Sequence, residues 1–221
     1  MAAMSGLTLV FDNRNYSPWS MRPWLLMRQH GIKFDEVQIP LRQRDSLERK
    51  LAYSPAGKVP ILLDGDMRIW DSLAIVGHLA EKFAEKPLWP ADGEARAVAR
   101  SVSAEMRSGF ASLRSRMPLH CRARRPDAGR GPGVQEDIDR ICEIWRECRV
   151  RYGAAGEFLF GEFTVADAMF APVTSRFQTY GVELDRIEAD YARAILALPA
   201  VRDWDGGCAG RAVRIAKFDQ A

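Results

Sequence analysis

The chain has 221 residues, close to half of them hydrophobic, and its formal net charge is only +3. Such a small net charge argues against nucleic-acid binding, which usually needs a basic stripe. The length suits one large domain or two small ones. No run of about 18 apolar residues occurs, so we expect no membrane span and no membrane partner.

The cysteines give no sign of a metal site or a disulfide framework. None of the four forms a C-x-x-C pair, and no histidine cluster accompanies them. We therefore predict no metal ligand set and a reduced, cytoplasmic protein. The apolar run Leu7–Phe11 is too short for an export signal and suits a buried strand. The cysteines are Cys121, Cys142, Cys148 and Cys208.

The first part of the chain alternates strand and helix patterns. The order β-α-β-α-β-β-α begins with a parallel unit and ends with an antiparallel hairpin, which favours a small mixed sheet with helices on both faces. The turn of the hairpin is Asp64-Gly65, a common pair at this position. The predicted strands cover 7–11, 34–39, 61–63 and 67–69, and the predicted helices cover 18–30, 45–52 and 72–83.

The rest of the chain shows helical patterns. Pro87, Pro90 and Gly93 punctuate the sequence after the last predicted element of the first half. They predict a first domain over 1–86, a linker over 87–92 and an all-helical domain over 93–221. Thr164 and Asp167 have the form of a capping box ahead of an apolar run. The other predicted helices cover 94–117, 135–152, 188–198 and 201–205, and 120–133 is predicted to be a loop with a solvated basic run.

Ser17 precedes Pro18 and begins the first predicted helix. Serine at the N-cap with proline after it is a good helix start, and capping alone would explain the pair. A hydroxyl can also accept a bond from the first turn and donate its own hydrogen outward. A thiolate placed beside it would gain that donor and the positive end of the helix dipole. The residues alone leave both readings open.

Val59 and Pro60 come just before the third strand. Proline removes a backbone donor and holds the preceding residue in extended geometry. A cis bond here would make a fixed turn, and Val59 would then show its N–H and C=O to one side, as a strand edge does. A peptide could add along that edge. An ordinary proline before a strand is the alternative.

Asp71 and Ser72 open a helix directly after the hairpin. The unpaired N–H groups of a helix start suit a carboxylate, and Ser72 adds a hydroxyl donor. Asp71 can pair with an ammonium group. Together the two residues match both charges of a free amino acid head group. A plain N-cap is the alternative for this pair.

Taken together, these segments resemble the glutathione S-transferase family. N-Y-S-P-W-S-M-R, with W-L-L-M-R-Q-H-G-I after it, resembles the serine-type branch. It is similar to the zeta class (maleylacetoacetate isomerase-like, including bacterial members), whose motif S-S-C-S-x-R-V-R aligns with Ser17 to Arg22. S-P-A-G-K-V-P resembles the cis-proline turn of the family, and W-D-S-L-A-I resembles its γ-glutamyl-binding helix start.

The resemblance implies a thioredoxin-like N-terminal domain, a helical C-terminal domain and a homodimer. It places Ser17 beside the glutathione sulfur and Val59 along the cysteinyl part. Asp71 and Ser72 match the pair that holds the γ-glutamyl end, and Lys58 lies where a side chain helps with the glycyl end. F-T-V-A-D-A resembles the folding capping box of the family.

Two departures from the family pattern bear on activity. Pro18 and Trp19 replace the Ser-Cys of the zeta motif, which puts the isomerase activity of that class in doubt. Asp71 occupies a position at which the family commonly has Glu or Gln, and its side chain is one methylene shorter. The sequence thus favours a glutathione transferase acting on a small electrophile bound near 116–122. A glutathione-dependent isomerase, peroxidase or dehalogenase, and a non-catalytic binding protein, are the alternatives.

Overall fold

The structure, a computed structural model, describes residues 6–41 and 43–208, except for the side chain of Cys208. The N-terminal half contains four strands and three helices in the predicted order. The strands are β1 (Leu7–Phe11), β2 (Asp35–Gln38), β3 (Ile61–Asp64) and β4 (Met67–Trp70), and the helices are α1 (Pro18–Gln29), α2 (Ser46–Leu51) and α3 (Ser72–Lys82).

The four strands form one mixed sheet in the order β2-β1-β3-β4. β1 pairs parallel with β2 and antiparallel with β3, and β3 pairs antiparallel with β4 through a turn at Gly65, whose φ is +59°. Glycine adopts that backbone conformation without a steric penalty. This topology confirms the predicted α/β, thioredoxin-like fold of the first half.

The C-terminal half is helical within the described residues, as predicted. Besides its α-helices, the described part of this half contains a short 3₁₀ helix at Gly153–Ala155 and two isolated β-bridges. The helices are α4 (Gly93–Ser108), α5 (Ala111–Arg116), α6 (Val134–Tyr152), α7 (Val165–Tyr180), α8 (Arg186–Ala197) and α9 (Pro199–Cys208). The part of the predicted 93–221 domain beyond 208 lies outside the described residues, and the boundary itself stays a prediction.

The prediction of one helix over 94–117 was wrong. The chain breaks that helix at Gly109 and Phe110, and Phe110 has a left-handed φ of 61°. A Cβ on Gly109 would lie 3.0 Å from the carbonyl oxygen of Glu105, so glycine lets the helix end fold back closely. The break separates α5 from α4, and both helices contribute side chains to the cleft described below.

One continuous hydrophobic core joins the two halves. α1 packs against both α7 and α9. The rings of Trp24 and Trp204 meet edge to face with centroids 5.1 Å apart, and both side chains are fully buried in this core. Because α1 packs between the sheet and the helical half, its first turn has a fixed position at the border between them. Among the described residues, no helix is long and apolar enough to cross a membrane.

The capping box at the start of α7 is present as predicted. Asp167 Oδ2 accepts from the backbone N–H of Thr164 at 2.8 Å and from its hydroxyl at 3.1 Å, and Oδ1 accepts from Leu159 N–H at 3.0 Å. Burial raises the pKa of the Asp167 carboxyl to about 6, although these bonds favour its charged form. The carboxylate therefore organises three buried donors.

We expect Asp167→Asn to remove a pH dependence of stability. Between about pH 4 and pH 6 the folded chain holds a proton on Asp167 that the unfolded chain has already lost. The contribution of Asp167 to stability is therefore greatest below about pH 4 and falls as the pH rises through about 6. Asparagine does not titrate. The unfolding free energy of the parent minus that of the variant should thus shrink by about 2 kcal/mol between about pH 4.5 and pH 7. Denaturant titrations of both proteins measure it, and a difference that does not change with pH contradicts the prediction.

Candidate functional site

A cleft of about 710 Å³ opens between the two halves of the chain. Its volume lies in the usual range for small-molecule sites. It receives side chains from the first turn of α1, the segment before β3, the β4–α3 junction, the end of α4 and α5. The lining residues are Trp19, Ala56, Lys58, Val59, Pro60, Trp70, Asp71, Ser72, Arg107, Ser108 and Arg114. The structure thus brings together four of the five predicted site residues.

Asp71 caps α3 from an unusual backbone position. Its φ is 77° and its ψ is 131°. Residues other than glycine rarely adopt this backbone conformation. Its Oδ1 accepts from Leu73 N–H at 2.9 Å. This geometry orients the carboxylate beside the open start of α3. Strained backbone of this kind concentrates at functional sites, where the surrounding structure maintains it.

Arg107 crosses from α4 to pair with Asp71. Its Nε and Nη2 donate to Asp71 Oδ2 at 2.9 and 2.6 Å. Burial alone would raise the pKa of Asp71, but the bonds from Arg107 and Leu73 N–H outweigh it and hold the pKa below its ordinary value. Asp71 is therefore charged at neutral pH. The head-group position contains one carboxylate and one guanidinium, each able to meet the opposite charge of an amino acid.

Ser72 brings an unused hydroxyl to the same place. Its side chain is 1% exposed, and its Oγ has no hydrogen-bond partner among the described residues. A buried hydroxyl without a partner is costly, so the Ser72 hydroxyl requires a partner outside the described residues, such as a water or a ligand. Since Ser72 is the first residue of α3, the helix dipole adds its positive end at the same point.

Val59 and Lys58 form the wall next to this helix start. The Val59–Pro60 peptide bond is cis. The backbone N–H and C=O of Val59 make no hydrogen bond with the described residues, so both are available along the cleft. Lys58 is exposed at the rim. The predicted open backbone edge is therefore present where the sequence placed it.

Ser17 differs from the prediction in its bonding. It is the N-cap residue of α1, yet its side chain makes no capping bond. Its Oγ instead donates to Ser20 Oγ at 2.8 Å, and Ser20 Oγ accepts from Asp12 N–H at 3.4 Å. Ser17 is 5% exposed and is not among the residues that line the cleft, whereas Trp19, two residues later, is.

Several residues of the cleft were not predicted from the sequence. No binding role was predicted for Trp19, Arg107 or Arg114. The expected electrophile stretch 116–122 does not line the cleft, whereas Arg107, Ser108 and Arg114 do. The position of these residues depends on the break between α4 and α5. No local sequence pattern signals how that break points a side chain across to the other domain.

The thiols of the chain are not obvious nucleophiles. Cys142 and Cys148 are free thiols. Burial raises the pKa of Cys142 to about 11 and that of Cys148 to about 12, so both stay protonated at neutral pH. Within residues 6–41 and 43–208, no three His, Cys, Asp or Glu side chains lie close enough to hold a metal ion. None of the lining residues described for the cleft is a cysteine.

Two family models match this chain. Glutathione S-transferase, N-terminal domain, matches residues 13–87, and Glutathione S-transferase, C-terminal domain, matches residues 97–204. These two matches cover most of the sequence. The chain belongs to the glutathione S-transferase family.

The individual relatives are distant from this chain in sequence. Glutathione S-transferase Z2 of Arabidopsis thaliana is 35% identical over 102 residues, which are 43% of this chain and 45% of that protein. The chain thus spans less than half the length of several curated relatives that it matches. A glutathione transferase homolog from Burkholderia, solved with bound glutathione, has a TM-score of 0.70 at 20% identity and covers 93% of this chain and 99% of its own. The nitrogen regulation fragment of the yeast prion protein Ure2p has a TM-score of 0.69 at 20% identity, covering 94% and 99%.

Proposed function

We propose that the chain is a serine-type glutathione transferase that binds reduced glutathione in the cleft and activates its thiol for attack on a small electrophile. One observation carries the binding half of this proposal. The buried hydroxyl of Ser72 has no partner at a helix start that also presents Asp71 and Arg107. A γ-glutamyl head supplies the carboxylate for Ser72 and the start of α3, and the ammonium for Asp71.

The rest of the tripeptide follows the wall of the cleft. Its cysteinyl backbone pairs with the free N–H and C=O of Val59, as a short added strand does. Its glycyl carboxylate lies within reach of Lys58 at the rim. This orientation directs the sulfur toward the first turn of α1, where Ser17 and the helix dipole are located.

Ser17 then acts on the sulfur by a change of hydrogen-bond direction. In the free protein its hydroxyl donates to Ser20. The two hydroxyls lie at a distance at which either one can donate. When the thiol loses its proton to solvent, Ser17 turns its hydrogen toward the thiolate and accepts from Ser20 instead. The thiolate attacks the electrophile, a carbon–sulfur bond forms, and the leaving group departs with its electron pair.

A non-catalytic glutathione-binding protein is the second candidate. The bond between Ser17 and Ser20, and the absence of Ser17 from the residues that line the cleft, favour it. The structural likeness to the nitrogen regulation fragment of Ure2p is compatible with it. Binding of glutathione with no turnover on any electrophile, hydroperoxide or cis-enedione would support this candidate. Isomerase, peroxidase or dehalogenase activity would keep the thiolate step and change only the second substrate.

We further propose a cytoplasmic homodimer with domains over 1–86 and 93–221. The family resemblance supports the homodimer, and the absence of a disulfide framework from the sequence supports the cytoplasmic location. Light scattering of the purified protein tests the dimer. A monomer at micromolar concentration would argue against it.

Ser72→Ala separates ligand binding from folding. We expect glutathione to bind roughly 10-fold more weakly, because a hydrogen bond to a charged group is lost. We expect the free variant to be no less stable than the parent, since the Ser72 hydroxyl has no partner in the free protein. Calorimetry with glutathione and thermal unfolding measure the two effects. Unchanged affinity, or a large loss of stability, would refute the head-group assignment.

A further inference from the structure

Two guanidinium groups meet at one tryptophan ring in the cleft. The Cζ of Arg22 lies 4.4 Å from the ring centroid of Trp19, and the Cζ of Arg114 lies 5.0 Å from it. Trp19 and Arg114 both line the cleft, whereas Arg22 is buried beneath the lining. Contacts of this type are weak compared with an ion pair, so the ring alone does not neutralise the two charges.

Neither guanidinium group has used all its donors. Arg22 is 1% exposed, its Nε donates to the Met169 carbonyl at 3.1 Å, and its Nη1 is buried with no partner among the described residues. Arg114 Nη2 donates to the carbonyls of Met106 and Arg107, and its Nε is likewise buried and unpartnered. Native structures rarely leave such groups without a partner.

The surroundings compensate this positive charge only in part. Arg176 is also buried nearby, with its Nε on the Met117 carbonyl. Burial lowers the pKa of Arg22 well below its ordinary value, and the charges of Arg176 and Arg114 lower it further. The nearby carboxylates already have partners: Asp71 Oδ2 is bonded to Arg107, and Asp137, which favours the charged form of Arg114, accepts from Leu113 N–H. A buried cation with an incomplete counter-charge is unfavourable, and a bound anion would reduce that penalty.

We propose that the second substrate of the cleft carries a carboxylate, which Arg114, supported by Arg22, binds beside Trp19. This inference rests on the proposed transferase function and names its substrate class. Arginine suits the role because its fork of N–H groups matches the geometry of a carboxylate. The reactive carbon of the substrate then lies between this anion site and the glutathione sulfur.

A matched pair of aryl chlorides tests the proposal. The probes are 4-chloro-3-nitrobenzoate and 4-chloro-3-nitrobenzamide, which share the ring, the activating nitro group and the leaving group. In both, the thiolate attacks the carbon that bears chlorine, a carbon–sulfur bond forms, and chloride leaves with the electron pair. With each rate divided by its uncatalysed rate with glutathione, we expect kcat/KM to be at least about 10-fold higher for the acid. Equal values for the two probes overturn the proposal.

Variants on one helix locate the anion site. Arg114→Gln should bring the acid-to-amide ratio close to 1 and leave glutathione affinity within about twofold. Arg116→Gln makes the same charge change on an exposed residue of α5 that does not line the cleft, and should keep the parent ratio. A loss of glutathione affinity in Arg114→Gln would mean that this arginine holds glutathione, which overturns the proposal.

A binding measurement distinguishes failure of this inference from failure of the proposed transferase function. The probes are 3-nitrobenzoate and 3-nitrobenzamide, which lack the leaving group, titrated into the parent by calorimetry. Saturable binding of the acid, at least about 10-fold tighter than the amide and lost in Arg114→Gln, supports the anion site even if glutathione does not bind. Absence of any preference for the acid overturns the site even if glutathione is turned over.

Discussion

Ser17→Ala is expected to lower kcat by roughly 10- to 100-fold while glutathione KM changes by less than about twofold. A hydrogen bond to a charged group contributes about 1.5–3 kcal/mol, which corresponds to this range of rates. In the proposed mechanism the Ser17 hydroxyl contacts the sulfur mainly when the sulfur is ionised, so its removal should affect the reacting state more than ground-state binding. Steady-state kinetics with glutathione and an aryl chloride at fixed pH measure the effect.

Ser103→Ala is the matched control for this change. Ser103 is also fully buried on a helix, and its hydroxyl donates to the Ala99 carbonyl at 2.7 Å within α4. The control should keep the parent kcat, because it removes a buried hydroxyl away from the cleft. Equal activity of Ser17→Ala and the parent would reject Ser17 as the activating donor and would favour the binding-protein candidate.

Asp71→Asn is expected to weaken glutathione binding by roughly 10- to 100-fold with a small effect on kcat. Asparagine keeps an oxygen that can accept from Leu73 N–H, and it tolerates positive φ better than most residues. The substitution therefore removes the charge and keeps the cap. The ammonium of the ligand loses its charged partner, and Arg107 is left beside it without a counter-charge.

The matched control for Asp71 is Asp92→Asn. Asp92 caps α4 in the same manner, with its Oδ1 accepting from Ala95 N–H at 2.8 Å, but it is exposed and away from the cleft. Calorimetry should show parent-like glutathione affinity in this control. Similar affinity in Asp71→Asn, Asp92→Asn and the parent would contradict the assignment of Asp71 to the head group.

The sequence predicted the parts of the fold that depend on local patterns. Strand and helix periodicity gave the βαβαββα order, and the Thr164–Asp167 spacing gave the capping box. The segment at Val59 and the pair Asp71-Ser72 indicated one wall of the cleft, because Val59 lies two residues before β3 and Asp71-Ser72 forms the start of α3. These features survive in the structure because turn chemistry and capping act over a few residues.

The opposite wall depended on tertiary structure. Arg107 reaches Asp71 across 36 positions of sequence. Arg114 meets Trp19 only because the chain turns at Gly109 and Phe110. The continuous apolar pattern over 94–117 hides that turn. The Ser17 hydroxyl presents the same difficulty, since its choice of Ser20 over a backbone N–H depends on the geometry of a single turn.

The measurement that tests the central claim most directly is the pKa of the bound glutathione thiol. The ultraviolet absorbance of the thiolate, recorded while saturated protein is titrated with base, gives that value for the parent and for Ser17→Ala. A free thiol has a pKa of about 8.5. The account predicts a value at or below neutral pH in the parent and a return upward by about 1–2 units in the variant. The same thiol pKa in both proteins, or an unshifted value in the parent, would contradict it.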